Sequence, residues 1–197
     1  MNLANTKTLE NLMRAFAGES QARNRYYMAA SAAKNEQLQC IQRIFEYTAN
    51  QEFEHAEIFF KRLKTGGVKN IEITAGYPVD LQDDVLYLLR EAHHNEYEEH
   101  QVAYPAFANI AREEGFADIA RIFSQIAEIE RSHGDRFGTL ADRIQAGTLF
   151  RGNSDSRWLC LNCGYVHTGE EAPKICPVCS HVQGYFMDEQ YAPYIIP

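Results

Sequence analysis

Two Glu-x-x-His pairs, Glu52 with His55 and Glu130 with His133, sit at equivalent places in two apolar stripes of the chain. On a helix, residues three apart share a face, so each pair presents an oxygen and a nitrogen donor to one point. Three further glutamates, Glu19, Glu96 and Glu99, interrupt stripes that are otherwise apolar. Burying unpaired carboxylates is expensive, and five of them in one interior would unfold a domain unless cations compensate. The stripes carry no lysine or arginine to do this, so metal ions are the expected partners. Mostly hard oxygen ligands with one imidazole per ion suit iron or manganese better than structural zinc. One Glu from each of two helices and Glu-x-x-His from each of two others makes a di-metal carboxylate set. A lone Glu-x-x-His is ordinarily a solvated helix face; two copies on buried stripes are not. Glu54, Glu57, Glu98 and Glu128 lie off the stripes and read as surface, and His93, His94 and His100 receive no role.

A second chemistry lies near the end of the chain. Cys160-Leu-Asn-Cys163 and Cys176-Pro-Val-Cys179 are two knuckles separated by twelve residues, the spacing of a tetrahedral tetrathiolate site. Zinc and iron both accept that geometry. The fifth cysteine, Cys40, reads as a plain buried thiol. Tyr26 and Tyr104 share faces with Glu19 and Glu99 and could donate hydrogen bonds to the carboxylate cluster, although packing with a satisfied hydroxyl is the commoner use of a core tyrosine.

The elements that must position these groups follow from periodicity. No proline occurs in the first 77 residues. Leu12, Phe16, Glu19, Ala22, Tyr26, Ala29 and Ala33 recur at three and four, one face of a helix. A second stripe runs Leu38, Ile41, Phe45, Ala49, Glu52, His55, Phe59, Leu63 and stops at Gly66-Gly67. A third runs Leu81, Val85, Leu88, Ala92, Glu96, Glu99, Ala103, Phe107, Ile110, with Pro105 predicting a kink. The fourth runs Phe116, Ile119, Phe123, Ile126, Glu130, His133, Phe137, Ala141, Ile144, closed by Gly147. Four helices, each about 45 Å long at about 1.5 Å per residue, with short turns after the first and third, predict a four-helix bundle. The long connection from Gly66 to Pro78 favours a ferritin-like topology. Sliding the second helix by 78 positions superposes Ile41 on Ile119, Phe45 on Phe123, Glu52 on Glu130, His55 on His133 and Phe59 on Phe137. Glu19 and Glu96 correspond at an offset of 77, so the bundle reads as a duplicated hairpin. Glu99 has no counterpart, because Ala22 stands in its place.

The expected fold class is mainly α, a ferritin-like four-helix bundle followed by a small rubredoxin-like β domain with a tetrathiolate metal site. The expected division is a di-iron bundle at 1–146, a linker at 147–157 rich in turn residues, and an Fe(Cys)4 domain at 158–197 that is too small to fold without its metal. Of the 197 residues, 45% are hydrophobic, enough for a real core, and the formal net charge of -8 argues against nucleic acid or acidic membranes as partners. No stretch resembles a signal peptide or membrane span, so a soluble, cytoplasmic protein is expected.

Cys163-Gly164-Tyr165, Cys176-Pro177-Val178-Cys179 and the following Tyr185-Phe186 resemble rubredoxin, which favours iron over zinc in the tail. The chain as a whole resembles the rubrerythrin family. Residues 17–26, reading AGESQARNRY, Glu52-Phe53-Glu54-His55, Tyr104-Pro105-Ala106-Phe107, Ile110 to Gly115 and the tail carry that likeness over nearly all of its length. The resemblance implies Glu19, Glu52, Glu96, Glu99, Glu130 and His133 as di-iron ligands, with His55 replacing Glu99 on one iron as the oxidation state changes. Cys160, Cys163, Cys176 and Cys179 would hold one rubredoxin-type iron per chain. It implies an oxidoreductase of NADH peroxidase type that reduces hydrogen peroxide and protects against oxidative stress. Electrons would come from an NAD(P)H-dependent rubredoxin reductase or similar flavoprotein, because a Gly-x-Gly-x-x-Gly motif for NADH is absent. It further implies a head-to-tail homodimer with one subunit's tail near the other's di-iron site. A ferroxidase or oxygen-reducing di-iron protein, a plain electron carrier and a zinc-ribbon interaction module are the alternatives.

Overall fold

The structure, a computed structural model, describes residues 2–192; the last residues of the expected tail domain, 193–197, lie outside the described residues. Helix α1 spans Lys7–Asn35 and opens at Thr6, whose hydroxyl accepts from the Leu9 amide. Helix α2, Gln39–Thr65, returns antiparallel after a tight turn in which Gln37 takes a left-handed conformation (φ 60°). Residues 66–84 then cross to the second hairpin with no regular element. Helix α3, Val85–Glu98, starts at Asp84, whose carboxylate accepts from the Tyr87 amide. The third helix therefore begins later than its apolar stripe predicted. Leu81, counted on that stripe, lies in the connection and is 82% exposed, because the cap at Asp84 fixes the start of the helix.

The predicted kink at Pro105 takes the form of a π-helical segment, Glu99–Ala103, followed by α4, Tyr104–Glu113, with the proline in its first turn. Proline has no N–H to donate, and a wider turn before it removes the clash that an uninterrupted α-helix would force. The repeat offsets locate the extra residue. Both ends of the second hairpin's turn match the first hairpin at 78, Asn35 with Glu113 and Gln39 with Ala117, whereas Glu19 and Glu96 match at 77. The one residue gained between Glu96 and Glu113 is the one that the π turn absorbs. Helix α5, Ala117–Gln145, completes the bundle.

The interior is divided in two. One apolar group holds Tyr26, Ile41, Phe45, Leu89 and Phe137; the other holds Leu12, Phe59, Tyr104, Phe123 and Ile126. Phe45 stacks on Phe137 and Phe59 on Phe123, both at 5.2 Å and 30°, contacts that the 78-residue repeat interchanges. The carboxylates and histidines occupy the layer between these two groups.

The tail is a three-stranded antiparallel sheet in the order β2-β1-β3, with β1 at Arg157–Cys160, β2 at Val166–Thr168 and β3 at Phe186–Asp188. Trp158, fully buried, donates its indole N–H to the Gly169 carbonyl at 2.8 Å. The stretch read as a linker has no regular element over most of its length but is fastened to the bundle. Arg143 donates to the Thr148 and Arg151 carbonyls, and Phe150 packs against the cores of both bundle and tail. Met187 enters the bundle core. Gly184 lies so close to the α1–α2 turn that a Cβ there would stand 1.7 Å from the Gln37 carbonyl oxygen, so only glycine fits.

Candidate metal centres

Six of the seven glutamates and histidines singled out above converge in the middle of the bundle. Glu19, Glu52, His55 and Glu130 form one group and Glu52, Glu96, Glu130 and His133 another, with the ligand atoms in each within 4.8 Å of one another. All six are buried. Glu52 and Glu130 belong to both groups and divide their oxygens between them. His55 Nδ1 is 3.2 Å from Glu52 Oε2 and 3.0 Å from Glu130 Oε1, while His133 Nδ1 is 3.0 Å from Glu52 Oε1 and 2.8 Å from Glu130 Oε2. Two carboxylates that each turn one oxygen to either side are placed so that they could bridge two adjacent cations. Glu19 on one side and Glu96 on the other are terminal.

The donor atoms fit metal better than they fit each other. Glu19 Oε2, Glu52 Oε1, Glu96 Oε2, both Glu130 oxygens and His133 Nδ1 are buried without a hydrogen bond. Lone pairs crowded together without donors are costly unless a cation takes them. Iron suits this set of four carboxylates and two imidazoles.

Without metal, protons must do that work. Burial, and then repulsion from Glu130, push Glu19 well up; burial, Glu52 and Glu130 push Glu96 to about 8. Burial opposes charge on Glu52, yet His133 and His55 hold it below its ordinary value. Burial likewise opposes charge on the imidazoles, and the surrounding carboxylates overcome it and raise both. Metal uptake therefore releases protons and strengthens with rising pH.

Two tyrosines brace the terminal ligands crosswise. Tyr26 of α1 donates to Glu96 of α3, and Tyr104 of α4 donates to Glu19 of α1. Tyr26 and Tyr104 are themselves 78 positions apart, so the repeat includes these bonds. Burial and then the nearby carboxylates raise both phenols, which keeps them protonated donors. Glu99 stands apart: partly exposed at the start of the π segment, it belongs to neither group. Its carboxylate nonetheless points away from bulk water, and that desolvation, followed by repulsion from Glu19, Glu96, Glu130 and Glu52, pushes its pKa well up. His93 and His100, given no role, have Nδ1 2.8 Å from the α5 carbonyls of Gly134 and Ala127, a structural use.

Periodicity passed over Gln51. Its Oε1 lies 3.1 Å from His133 Nε2, so it accepts the ring N–H and leaves the Nδ1 lone pair facing the carboxylates. Gln51→Leu is expected to lower metal affinity at the bundle site by roughly 10–100-fold, measured by chelator competition, with Gln51→Glu restoring it. Equal affinity in Gln51→Leu would show that the contact positions nothing.

In the tail, Cys160 Sγ is 3.7 Å from Cys179 Sγ and Cys163 Sγ 3.7 Å from Cys176 Sγ. A tetrahedron with metal–sulfur bonds of about 2.3 Å has edges of about 3.8 Å, so the four sulfurs are spaced for one ion. The knuckles share a design. Gly164 (φ 78°) and Ser180 (φ 60°) turn left-handed after Cys163 and Cys179, and their amides bond the Cys160 and Cys176 carbonyls. A backbone N–H at His181 brings Cys179 down to about 6, whereas burial pushes Cys160 up to about 12.

Fold and sites together define a ferritin-like di-iron bundle with an appended rubredoxin-type iron domain. The profile described as "Rubrerythrin" matches residues 10–141, and that described as "Rubrerythrin, rubredoxin-like domain" matches residues 158–187. The rubrerythrin of Porphyromonas gingivalis is 45% identical over 185 residues, covering 94% of this chain and 91% of the relative. That of Clostridium perfringens is 45% identical over 186 residues, covering 94% and 95%. Among solved structures, fully reduced, all-ferrous nigerythrin aligns with a TM-score of 0.63 at 29% identity, over 95% of this chain and 91% of the other. The chain belongs to the rubrerythrin family. It is a di-iron oxidoreductase with two kinds of iron site, and no described helix is long and apolar enough to cross a membrane.

Proposed function

We propose that the protein is a non-haem peroxidase that reduces hydrogen peroxide to water. Electrons pass from an NAD(P)H-dependent rubredoxin reductase or similar flavoprotein, through the tail iron, to the bundle site. The observation that carries this reading is the presence in one chain of a one-electron tetrathiolate site and a two-metal carboxylate site. The reaction balances with one O–O bond broken, two electrons and two protons consumed, and two waters released. When bound, two adjacent ferrous ions supply both electrons and the Lewis acidity for that cleavage.

The residues divide the remaining work. Glu52 and Glu130 would be shared by the two ions, with Glu19 and His55 holding one and Glu96 and His133 the other. Glu99 and His55 are assigned to one exchangeable ligand position. Tyr26 and Tyr104 hold Glu96 and Glu19 in orientation through their hydrogen bonds. Cys160, Cys163, Cys176 and Cys179 hold the electron-relaying iron. We assign the protein to the cytoplasm as a homodimer, in which one subunit's tail serves the other's bundle.

The test is to reduce the iron-loaded protein anaerobically, add one equivalent of hydrogen peroxide, and follow the visible absorption of the ferric tetrathiolate against an oxygen control. Rapid return of colour with peroxide and slow return with oxygen is expected. A faster response to oxygen would replace this reading with a ferroxidase.

A further inference from the structure

Six of the seven side chains at the bundle centre are sealed from solvent, with exposures of 5% or less. Glu99 alone is partly exposed, and no residue of the π segment that carries it is fully buried. Outside it lies a cleft of about 350 Å³, whose lining includes Arg14, Gly18, Tyr77, Asn95, Glu99 and Tyr104. Its floor thus reaches Tyr104, which bonds Glu19 at the centre.

The roof of this cleft comes from the 66–84 connection. That segment has no regular structure, yet it is tied to α1 at three points. Tyr77 donates its hydroxyl to the Arg14 carbonyl at 2.9 Å, Arg14 Nε donates to the Thr74 carbonyl at 3.2 Å, and Arg25 pairs with Asp80 at 3.3 Å with both side chains largely buried. These ties hold the Tyr77 ring above Gly18. A Cβ built on Gly18 would stand 3.7 Å from Tyr77 Cε1 and 3.8 Å from Glu99 Oε1, both ordinary van der Waals contacts. Ring and carboxylate therefore both border the space that a methyl group on residue 18 would occupy, and this gap stays open because position 18 has no side chain.

We propose that this gap is the route by which small ligands, neutral or anionic and of the size of peroxide or azide, reach the di-iron site, and that Gly18 and Tyr77 set its width. A ligand carrying a bulky organic group would be held at the cleft. The inference rests on the di-iron site and not on the peroxidase reading, so the two can fail separately.

Azide tests it without turnover, because its binding to the oxidised, iron-loaded protein is followed by absorption. Gly18→Ala should fill the gap without displacing either neighbour, and it keeps good helix propensity, so the bundle should fold. Its azide association should be roughly tenfold slower, and Tyr77→Ala should be faster than the unmodified chain, with the final adduct spectrum unchanged in both. Association rates within about twofold of the unmodified chain in both variants would place the route elsewhere and overturn the proposal. An altered adduct spectrum in Gly18→Ala would overturn it too, by showing that the substitution acts on Glu99 as a ligand. Normal gating of azide, combined with preference for oxygen over peroxide, would leave this inference standing and remove the peroxidase reading.

Discussion

Glu130→Gln is expected to abolish two-iron loading of the bundle while leaving the tail iron in place, with peroxidase activity falling by about 10³-fold or more. Glu130 is fully buried and turns one oxygen toward the histidine on either side, so its loss removes a ligand from both positions at once. The amide is nearly isosteric, which keeps a cavity from complicating the result, but it is neutral and bridges cations poorly. Stability separates loss of metal from loss of fold. In the metal-free protein the Glu130 charge raises Glu19, Glu96 and Glu99 but also stabilises the protonated His55 and His133, so neutralising it relieves repulsion and loses attraction together. Because these two effects oppose each other, metal-free Glu130→Gln should unfold close to the metal-free parent, while the stabilisation that iron gives the parent is absent from the variant. Iron analysis per chain and calorimetry with and without metal provide both readouts. Glu128→Ala, on the solvent face of the same helix, is the control. Two irons retained in Glu130→Gln would show that the shared carboxylate does not bridge.

The same physics explains what could be read in advance. A carboxylate on a buried stripe is an anomaly in any sequence, so Glu19, Glu52, Glu96 and Glu130 announced a cation before any coordinates, and the repeat made the two halves of the bundle one observation made twice. The four helices followed from stripes long enough to outweigh local irregularity. What escaped was what periodicity cannot carry. A stripe read at three and four tolerates one extra residue unnoticed, so the π segment showed only as a repeat offset of 77 in one place and 78 in another. That turn also carries Glu99, which keeps the central carboxylates as neighbours but is partly exposed and belongs to neither ligand group. Gln51 gave no signal, because a glutamine beside a stripe is ordinary until a histidine is found opposite it. Tyr77 lies in a segment with no repeat at all, and its place over Gly18 depends on ties made more than 50 residues away in sequence. The contacts that fasten the 147–157 stretch and the tail to the bundle escaped for a related reason. Turn-forming residues mark a change of direction, and they say nothing about whether Phe150 or Met187 will find a core to enter.

Removing iron from the tail should unfold that domain and leave the bundle's helices standing. Trp158 is the only tryptophan of the chain and is fully buried, so its emission should shift to the red as it meets water. The apolar core around it consists of Trp158, Cys160, Ala172, Cys176 and Phe186, and two of those five are metal ligands. A sheet with strands of three and four residues cannot make up the difference, since units below about 40 residues generally need a metal or disulfides. Tetrathiolate and related sites in small domains contribute on the order of 10–16 kcal/mol of apparent binding energy, more than so small a core can replace. The opposing force is docking: Met187 and Phe150 anchor the tail to the bundle, and Arg143 ties down the connecting stretch. Those contacts, together with Leu161 of the first knuckle, which packs on the bundle core, should keep β3 and one side of that knuckle near the bundle without holding Cys163 and Cys176 together. Zinc-exchanged protein, whose tail metal does not quench fluorescence, gives the folded reference. Chelation under reducing conditions should then move the emission while far-ultraviolet dichroism keeps its helical shape. An unshifted emission would mean that the bundle surface, and not the metal, is what folds the tail.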